Sequence, residues 1–182
     1  LLHSMRRKGV RATVITRDKD LAQLIGDGDV YWDFGGRDPC GYHDIENRFG
    51  VVPERIADFL ALMGDSVDNI KGVPGIGAKT AAALMKEFAS LDAIYSDLEQ
   101  VAKMKFRGAA AIGERLKEHR ETAYLARQLT AICCDMPLNV TAEDLQRRLP
   151  DLAGVHAFYD VQGFGPLLRK QCERLSQLPI GR

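Results

Sequence analysis

The stretch Asn69-Ile-Lys-Gly-Val-Pro-Gly-Ile-Gly-Ala-Lys-Thr80 decides the architecture of this 182-residue chain. Gly72, Gly75 and Gly77 allow backbone conformations closed to other residues, and Ile76, set between two of them, can plug into a core between helices. A helix is predicted from about residue 77 to 88, with Lys79 and Thr80 in its first turn. Ala81, Ala82 and Ala83 keep it slim enough to pack closely on a partner. A helical segment lies just upstream, where Pro53 opens a helix carrying Ile56, Phe59, Leu60 and Met63 on one face and Gly64 ends it.

The start of the second helix offers free N–H groups and a positive dipole end to a phosphate. This is the helix-hairpin-helix pattern of sequence-independent DNA backbone binding. A tight turn alone would not need Gly-Ile-Gly-x-Lys opening an Ala-rich helix. Amide contacts to phosphate carry no base information, so binding is expected to depend on duplex shape and salt. Lys103, Lys105, Arg107, Arg115, Lys117 and Arg120 could extend the cationic track, although each serves equally well as a solvated helix charge.

Towards the N-terminus the periodicity changes. After Gly9, residues 11–16 read as a short buried strand, Asp18 precedes a short helix with Leu21, Ala22, Leu24 and Ile25, and residues 30–32 form the next strand. Helix, strand, helix, strand with short connections predicts a parallel or mixed α/β sheet, whose ligands sit at the carboxyl ends of strands. Asp18 and Asp20 occupy such an end. From residue 43 onward the pattern is helical: 44–49 stopped by Gly50, 91–98 capped by Ser90, a long helix over 109–132, and two or three short ones within 144–178. Leu1, Leu2 and Met5 already follow helical spacing without a capping residue, which reads as a helix entered part-way.

Hydrophobic residues at 46% and charged residues at 27% exclude a disordered tail, a collagen-like fibre and a membrane bundle. No apolar run approaches the ~18 to 20 residues of a spanning helix, so a soluble, cytosolic chain is expected. Cys40, Cys133, Cys134 and Cys172 form no C-x-x-C pair and read as reduced thiols. Net charge is zero, from 25 basic and 25 acidic residues, but the charges are segregated. Residues 1–17 carry five bases and no acid, 18–70 carry twelve acids against four bases, and 71–130 carry ten bases against seven acids. Carboxylates gathered beside cationic surface can hold divalent metal where a polyanion docks.

Two Asp pairs stand out in the acidic block. Asp18 and Asp20 follow a strand, and Asp65 and Asp68 follow a helix end. Hard divalent cations such as Mg²⁺ take one or two carboxylates per ion, and two such ions suit hydrolysis at phosphorus. An Asp after a strand is also a common cap, and one after a helix a common turn residue. Asp27 and Asp29 lack the rest of a calcium loop and are assigned to a turn.

Read in order, Thr16-Arg-Asp-Lys-Asp-Leu-Ala-Gln-Leu24, Phe49-Gly-Val-Val-Pro53 and Leu62-Met-Gly-Asp-Ser-Val-Asp-Asn-Ile-Lys-Gly-Val-Pro-Gly-Ile-Gly-Ala-Lys-Thr-Ala81 resemble the bacterial 5′-to-3′ exonuclease and flap endonuclease family. That family includes the N-terminal nuclease domain of DNA polymerase I and free-standing relatives. The likeness runs on through 90–95 and 129–138 to Phe164-Gly-Pro-Leu-Leu168.

The resemblance implies an α/β part followed by a mostly α part: the C-terminal portion of a PIN-like nuclease core with an H3TH, SAM-fold-like DNA-binding subdomain. The expected divisions are a core portion over 1–60, the hairpin subdomain over 61–135, and a helical tail over 136–182 packing on the core. It implies Asp18, Asp20, Asp65 and Asp68 as catalytic metal ligands for two Mg²⁺ or Mn²⁺ ions. Gly72, Gly75, Gly77, Lys79 and Thr80 would grip duplex, 5′-flap or branched DNA, and carbonyls of Val73 and Ile76 would hold K⁺. A monomer at the bacterial nucleoid, acting in replication and repair, is the implied setting.

Two departures qualify the likeness. Arg17 replaces a small residue and puts a cation beside the metal loop, and the family's first Asp ligands and helical arch would precede Leu1. A truncated, inactive form of a metal-dependent nuclease is therefore expected, with a non-catalytic duplex-binding module as the alternative.

Overall fold

The computed structural model describes residues 1–36, 38–106 and 108–179, and the chain forms two compact units, Leu1–Met136 and Pro137–Arg182. The first begins with α1 (Leu2–Arg6) and β1 (Thr13–Ile15), followed by a 3-10 segment (Lys19–Leu24), β2 (Val30–Trp32) and β3 (Cys40–Gly41). It continues with α2 (Tyr42–Phe49), a 3-10 turn (Pro53–Arg55) running into α3 (Ile56–Met63), and then α4 (Ala78–Glu87), α5 (Leu91–Ser96), α6 (Leu98–Lys103), α7 (Ala109–Glu118) and α8 (Arg120–Thr130). The expected mixed sheet and helical remainder are both present.

The sheet has the order β1-β2-β3. β1 runs parallel to β2 with Val14 opposite Tyr31, and β3 pairs antiparallel with Tyr31 opposite Cys40. Tyr31 in the middle strand is buried, its ring edge-on to Phe49 at 5.7 Å and under the Arg48 guanidinium at 4.9 Å. The expectation of a buried first strand is corrected here: among the described residues β1 is a sheet edge, and Ile15 is 60% exposed. A β-branched run favours extended backbone but does not specify how many neighbours cover it.

The centre of the unit is α3. Ile56, Phe59, Leu60, Ala61 and Leu62 are all buried, so this helix is surrounded on nearly every side, as an almost wholly apolar helix must be. On α8, Ala123 and Ala126 are buried small residues that let the two helices approach closely, and Thr130 Oγ1 donates to Ala126 O at 3.0 Å. On the other side α4 packs through Ala81, Leu84 and Met85. Its C-terminal carbonyls at Met85 and Phe88 accept from Arg55, which satisfies groups a helix end leaves open.

Two helices are shorter than their periodicity suggests. The one expected over 91–98 starts as predicted, with Ser90 Oγ accepting from Ala93 N–H at 3.1 Å, but it breaks at Asp97. That side chain accepts from Gln100 N–H at 2.9 Å and caps α6, because a short polar side chain competes with helix continuation for backbone groups. The long helix expected over 109–132 divides at His119, with φ −105° and ψ 27°. Neither Gly nor Pro stands at the break, and nothing local dictates it. Its outcome is that Arg120 lies over the Tyr95 and Tyr124 rings, at 5.4 and 5.5 Å, which makes Arg120 a stacking residue more than a solvated track charge.

Asp29, a turn residue by its sequence, is a buried staple. Its Oδ1 accepts from Ala12 N–H at 2.9 Å, and its Oδ2 from Gly26 N–H at 3.0 Å and from the Arg6 guanidinium. One carboxylate therefore joins the end of α1, the approach to β1 and the turn before β2. Burial alone would raise its pKa, but the bonds from Arg6, Ala12 and Gly26 outweigh that and hold it below the usual 3.8.

The second unit contains α9 (Leu152–Gln162) and α10 (Pro166–Ser176) joined at left-handed Gly163. Phe164 packs on Phe158 and Tyr159 at 6.1 and 5.7 Å, and Arg169 pairs with Asp160 at 2.5 Å. The four cysteines are free thiols.

Because the folded pKa of Asp29 is depressed, its stabilisation is complete above the unfolded value and is lost as pH falls through the folded one. Asp29→Asn should cost about 2 to 3 kcal/mol at neutral pH, measured by urea unfolding. The difference from wild type should shrink progressively below pH 3.8.

Candidate functional site

The site begins where α3 stops. Gly64 takes φ 78°, and a Cβ there would lie 2.5 Å from Gly72 N and 2.7 Å from Ile70 O. A Cβ on Gly72 would lie 2.2 Å from Gly64 N and 2.4 Å from the Met63 carbonyl carbon. Two stretches of main chain thus cross in direct contact, and Val73 N–H donates to Leu62 O at 2.8 Å to hold them. The intervening loop closes on itself: Asp65 and Ile70 exchange two backbone hydrogen bonds of 2.8 Å. Asn69 adopts φ 57°, a left-handed conformation that Asn tolerates better than most residues. Asp65 Oδ1 accepts from Val67 N–H at 3.0 Å, fixing the carboxylate.

The second contributor comes from the loop after β1. Asp18 caps the 3-10 segment, its Oδ1 accepting from Asp20 N–H at 3.0 Å, while Thr16 Oγ1 accepts from Asp18 N–H at 3.0 Å. The far end of this segment is held to α8, where the Gln23 amide donates to Thr130 O at 2.8 Å and accepts from Ile132 N–H at 3.4 Å. Asp20 is thereby brought to Asp65 and Asp68, and one carboxylate oxygen from each of the three lies within 4.8 Å of the others.

Asp20 and Asp65 are buried, at 8% and 2% exposure, and Asp68 is exposed. Asp20 Oδ1 is buried with no hydrogen-bond partner. Burial pushes the Asp20 carboxyl up to about 6, against the Lys19 charge and with the help of Asp18, Asp65 and Asp68. Burial also acts to raise Asp65, but hydrogen bonds from Lys19 and Val67, the Lys19 charge and a bond from the Asp68 backbone outweigh it, leaving that carboxyl below 3.8. Two neighbouring carboxylates are thus pushed in opposite directions, one by burial and the other by the cation and amides bonded to it.

Of the predicted carboxylates, Asp18 stands outside the converging group, exposed and acting as a cap. Arg17, expected to add a cation beside the metal loop, faces solvent and Asp33. Its side chain is 86% exposed and its Nε lies 3.5 Å from Asp33. Lys19 was not singled out from the sequence, yet its Nζ forms an ion pair with Asp65 Oδ2. No spacing rule could find a pair 46 residues apart, although a lysine flanked by two aspartates is a visible signal.

The hairpin residues fall into different roles. Gly72 is occupied by packing on Gly64, whereas a Cβ on Gly77 would meet nothing. Gly77 N-caps α4, whose first turn has no side-chain cap, and Lys79 is exposed there. Gly75 takes φ 79° and lies under the Arg115 guanidinium, so that Arg115 of α7 reaches the hairpin tip. The Val73 and Ile76 side chains are buried as plugs, and Val73 O accepts from Ile76 N–H at 3.1 Å. Lys103, Lys105 and Lys117 are exposed, and Arg107 lies outside the described residues.

This hairpin and its flanking helices fall within residues 51–153, which match the family model described as 5′-3′ exonuclease, C-terminal SAM fold. The chain belongs to this 5′-3′ exonuclease family. It is 37% identical over 145 residues to a 5′-3′ exonuclease of Buchnera aphidicola, an alignment spanning 80% of this chain and 50% of that protein. It is 41% identical over 150 residues to DNA polymerase I of Pseudomonas aeruginosa, spanning 80% of this chain and 16% of the polymerase. The fold is shared with the bacteriophage T5 D15 flap endonuclease, solved as a complex with DNA and metal ions, at a TM-score of 0.54 and 22% identity over 91% of this chain and 53% of that one. The chain thus spans about half the length of the exonuclease relative.

The two hairpin glycines should respond differently to substitution. Gly72→Ala should cost about 3 kcal/mol, because main chain must move, whereas Gly77→Ala should stay within about 1 kcal/mol. Urea unfolding followed by circular dichroism measures both.

Proposed function

We propose that this chain supplies a divalent-metal site and a duplex-holding hairpin to a structure-selective 5′-3′ exonuclease and flap endonuclease. The observation that carries the proposal is the convergence of Asp20, Asp65 and Asp68 directly beside the hairpin. One open groove is lined by Asp65 and Ser66 and by Gly72, Val73, Gly75 and Ile76. The activity for which the exonuclease relative is named supports the same reaction.

The donor set fits a hard ion. It consists entirely of carboxylate oxygen, and the buried Asp20 Oδ1 has no protein partner. Asp20, Asp65 and Asp68 would hold Mg²⁺ or Mn²⁺, and Asp18, two residues from Asp20, is the candidate ligand for a second ion. Such ions, when bound, generate hydroxide and stabilise the leaving oxygen at a phosphodiester. The protein's own contribution is placement: the closed loop 65–70 and the capped turn 18–20 fix the oxygens, and burial excludes bulk water from two of them.

The hairpin would hold the duplex. The uncapped start of α4 offers N–H groups to one phosphate, with Lys79 and the Thr80 hydroxyl in the same turn. Arg115 over Gly75 would add a second cation at the tip. The Val73 and Ile76 carbonyls are the candidates for K⁺. Double-stranded and 5′-flap DNA are the proposed substrates, and primer or flap removal at the bacterial nucleoid the proposed task of a monomeric protein. Because the chain spans about half of its exonuclease relative, turnover is proposed for the whole protein that contains it. Cleavage of a labelled 5′ flap by these 182 residues alone would overturn that assignment.

Titration with Mn²⁺ followed by electron paramagnetic resonance tests the metal site. Asp65→Asn with Asp68→Asn should weaken binding about tenfold or more, and unchanged affinity would remove the pair from the site. For the hairpin, Lys79→Ala should weaken duplex binding equally for all sequences. It should also reduce the slope of log affinity against log salt by about one, as read by fluorescence anisotropy.

A further inference from the structure

We propose that the Lys19 ammonium is a built-in placeholder for the metal at Asp65, and that a divalent ion enters by displacing it. The proposal rests on the metal-site reading above. Lys19 Nζ sits on Asp65 Oδ2 while Asp65 Oδ1 is held by the Val67 N–H. The ammonium thus sits on the oxygen opposite the one that takes the Val67 bond. The Asp65 side chain is 2% exposed and that of Lys19 34%, so the charge reaches inward from a stem that keeps access to solvent.

Two buried carboxylates and a third beside them repel one another and lose hydration, and they can persist as anions only with a cation among them. Lysine suits a temporary occupant. Its charge is compact, its stem has four flexible carbons, and it can withdraw by rotamer changes. The backbone need not follow, because Asp18 Oδ1 and Asp20 N–H hold the turn on either side of Lys19. An ammonium and a divalent ion compete for the same oxygen lone pairs, so the fraction of molecules with Lys19 withdrawn sets the apparent metal affinity. The displaced ammonium stays tethered at the rim of the site, where it would meet a phosphodiester oxygen.

The 182-residue chain is sufficient for the test. Lysine acetylation with an amine-reactive ester, read by mass spectrometry, should label Lys19 slowly in EDTA and several-fold faster at saturating Mg²⁺. Lys86, exposed on α4, should label equally in both. In parallel, Lys19→Gln should bind Mn²⁺ about 3- to 10-fold more tightly than wild type. Equal labelling of Lys19 with and without Mg²⁺ overturns the proposal while leaving the metal site standing, and so does Mn²⁺ affinity no tighter in the variant. Absence of Mn²⁺ binding to wild type and variant alike overturns the metal-site reading, and this proposal with it. The labelling arm uses unaltered protein, so it decides the question even where Lys19→Gln melts in EDTA.

Discussion

Where α3 ends, the main chain at Gly64 and the main chain at Gly72 touch without an intervening side chain, and neither position has room for so much as a methyl group. Everything downstream inherits its position from that crossing. It sets the hairpin against the end of the most buried helix in the unit, from which Val73 and Ile76 plug into the core. It also turns residues 65–70 into a closed loop, so that Asp65 and Asp68 are presented by the same contact that anchors the hairpin. A candidate metal site and a candidate phosphate-binding turn are thereby one construction, with the glycines serving packing at one end and backbone exposure at the other.

The opposite wall of the site is positioned by polar contacts. Asp29 gathers Arg6, Ala12 and Gly26, and Gln23 ties the 3-10 segment to the end of α8. Helix α8 is in turn packed on α3 through buried alanines. Asp20 therefore reaches Asp65 and Asp68 through a chain of contacts that passes through the core and not along the surface. The exposed Arg17 is free of that chain and meets Asp33, whereas Asp18 caps the turn that carries Asp20.

Much of this was legible in the residues. Gly64, Gly50, Ser90 and Gly77 mark helix ends because each answers a local requirement, and the Asp pairs and the Gly-Ile-Gly turn carry their chemistry in the sequence itself. What stayed hidden depends on contacts distant in sequence. That β1 is an edge, that the helix over 109–132 divides at His119, and that Asp29 is a buried staple all follow from neighbours that periodicity does not record. The functional signals blurred in the same way: Gly72 looks like its fellow hairpin glycines but is consumed by packing, and the partner of Lys19 lies 46 residues away.

The closed loop 65–70 carries a kinetic consequence. Its ends are already joined by two backbone bonds and its first carboxylate is already oriented, so little chain entropy would be left to lose on binding the proposed ion. For a small, tightly hydrated cation the slow event is then the shedding of its own water, a property of the ion more than of the protein. Ions of the same charge should accordingly load at rates ordered by how readily each gives up its hydration shell.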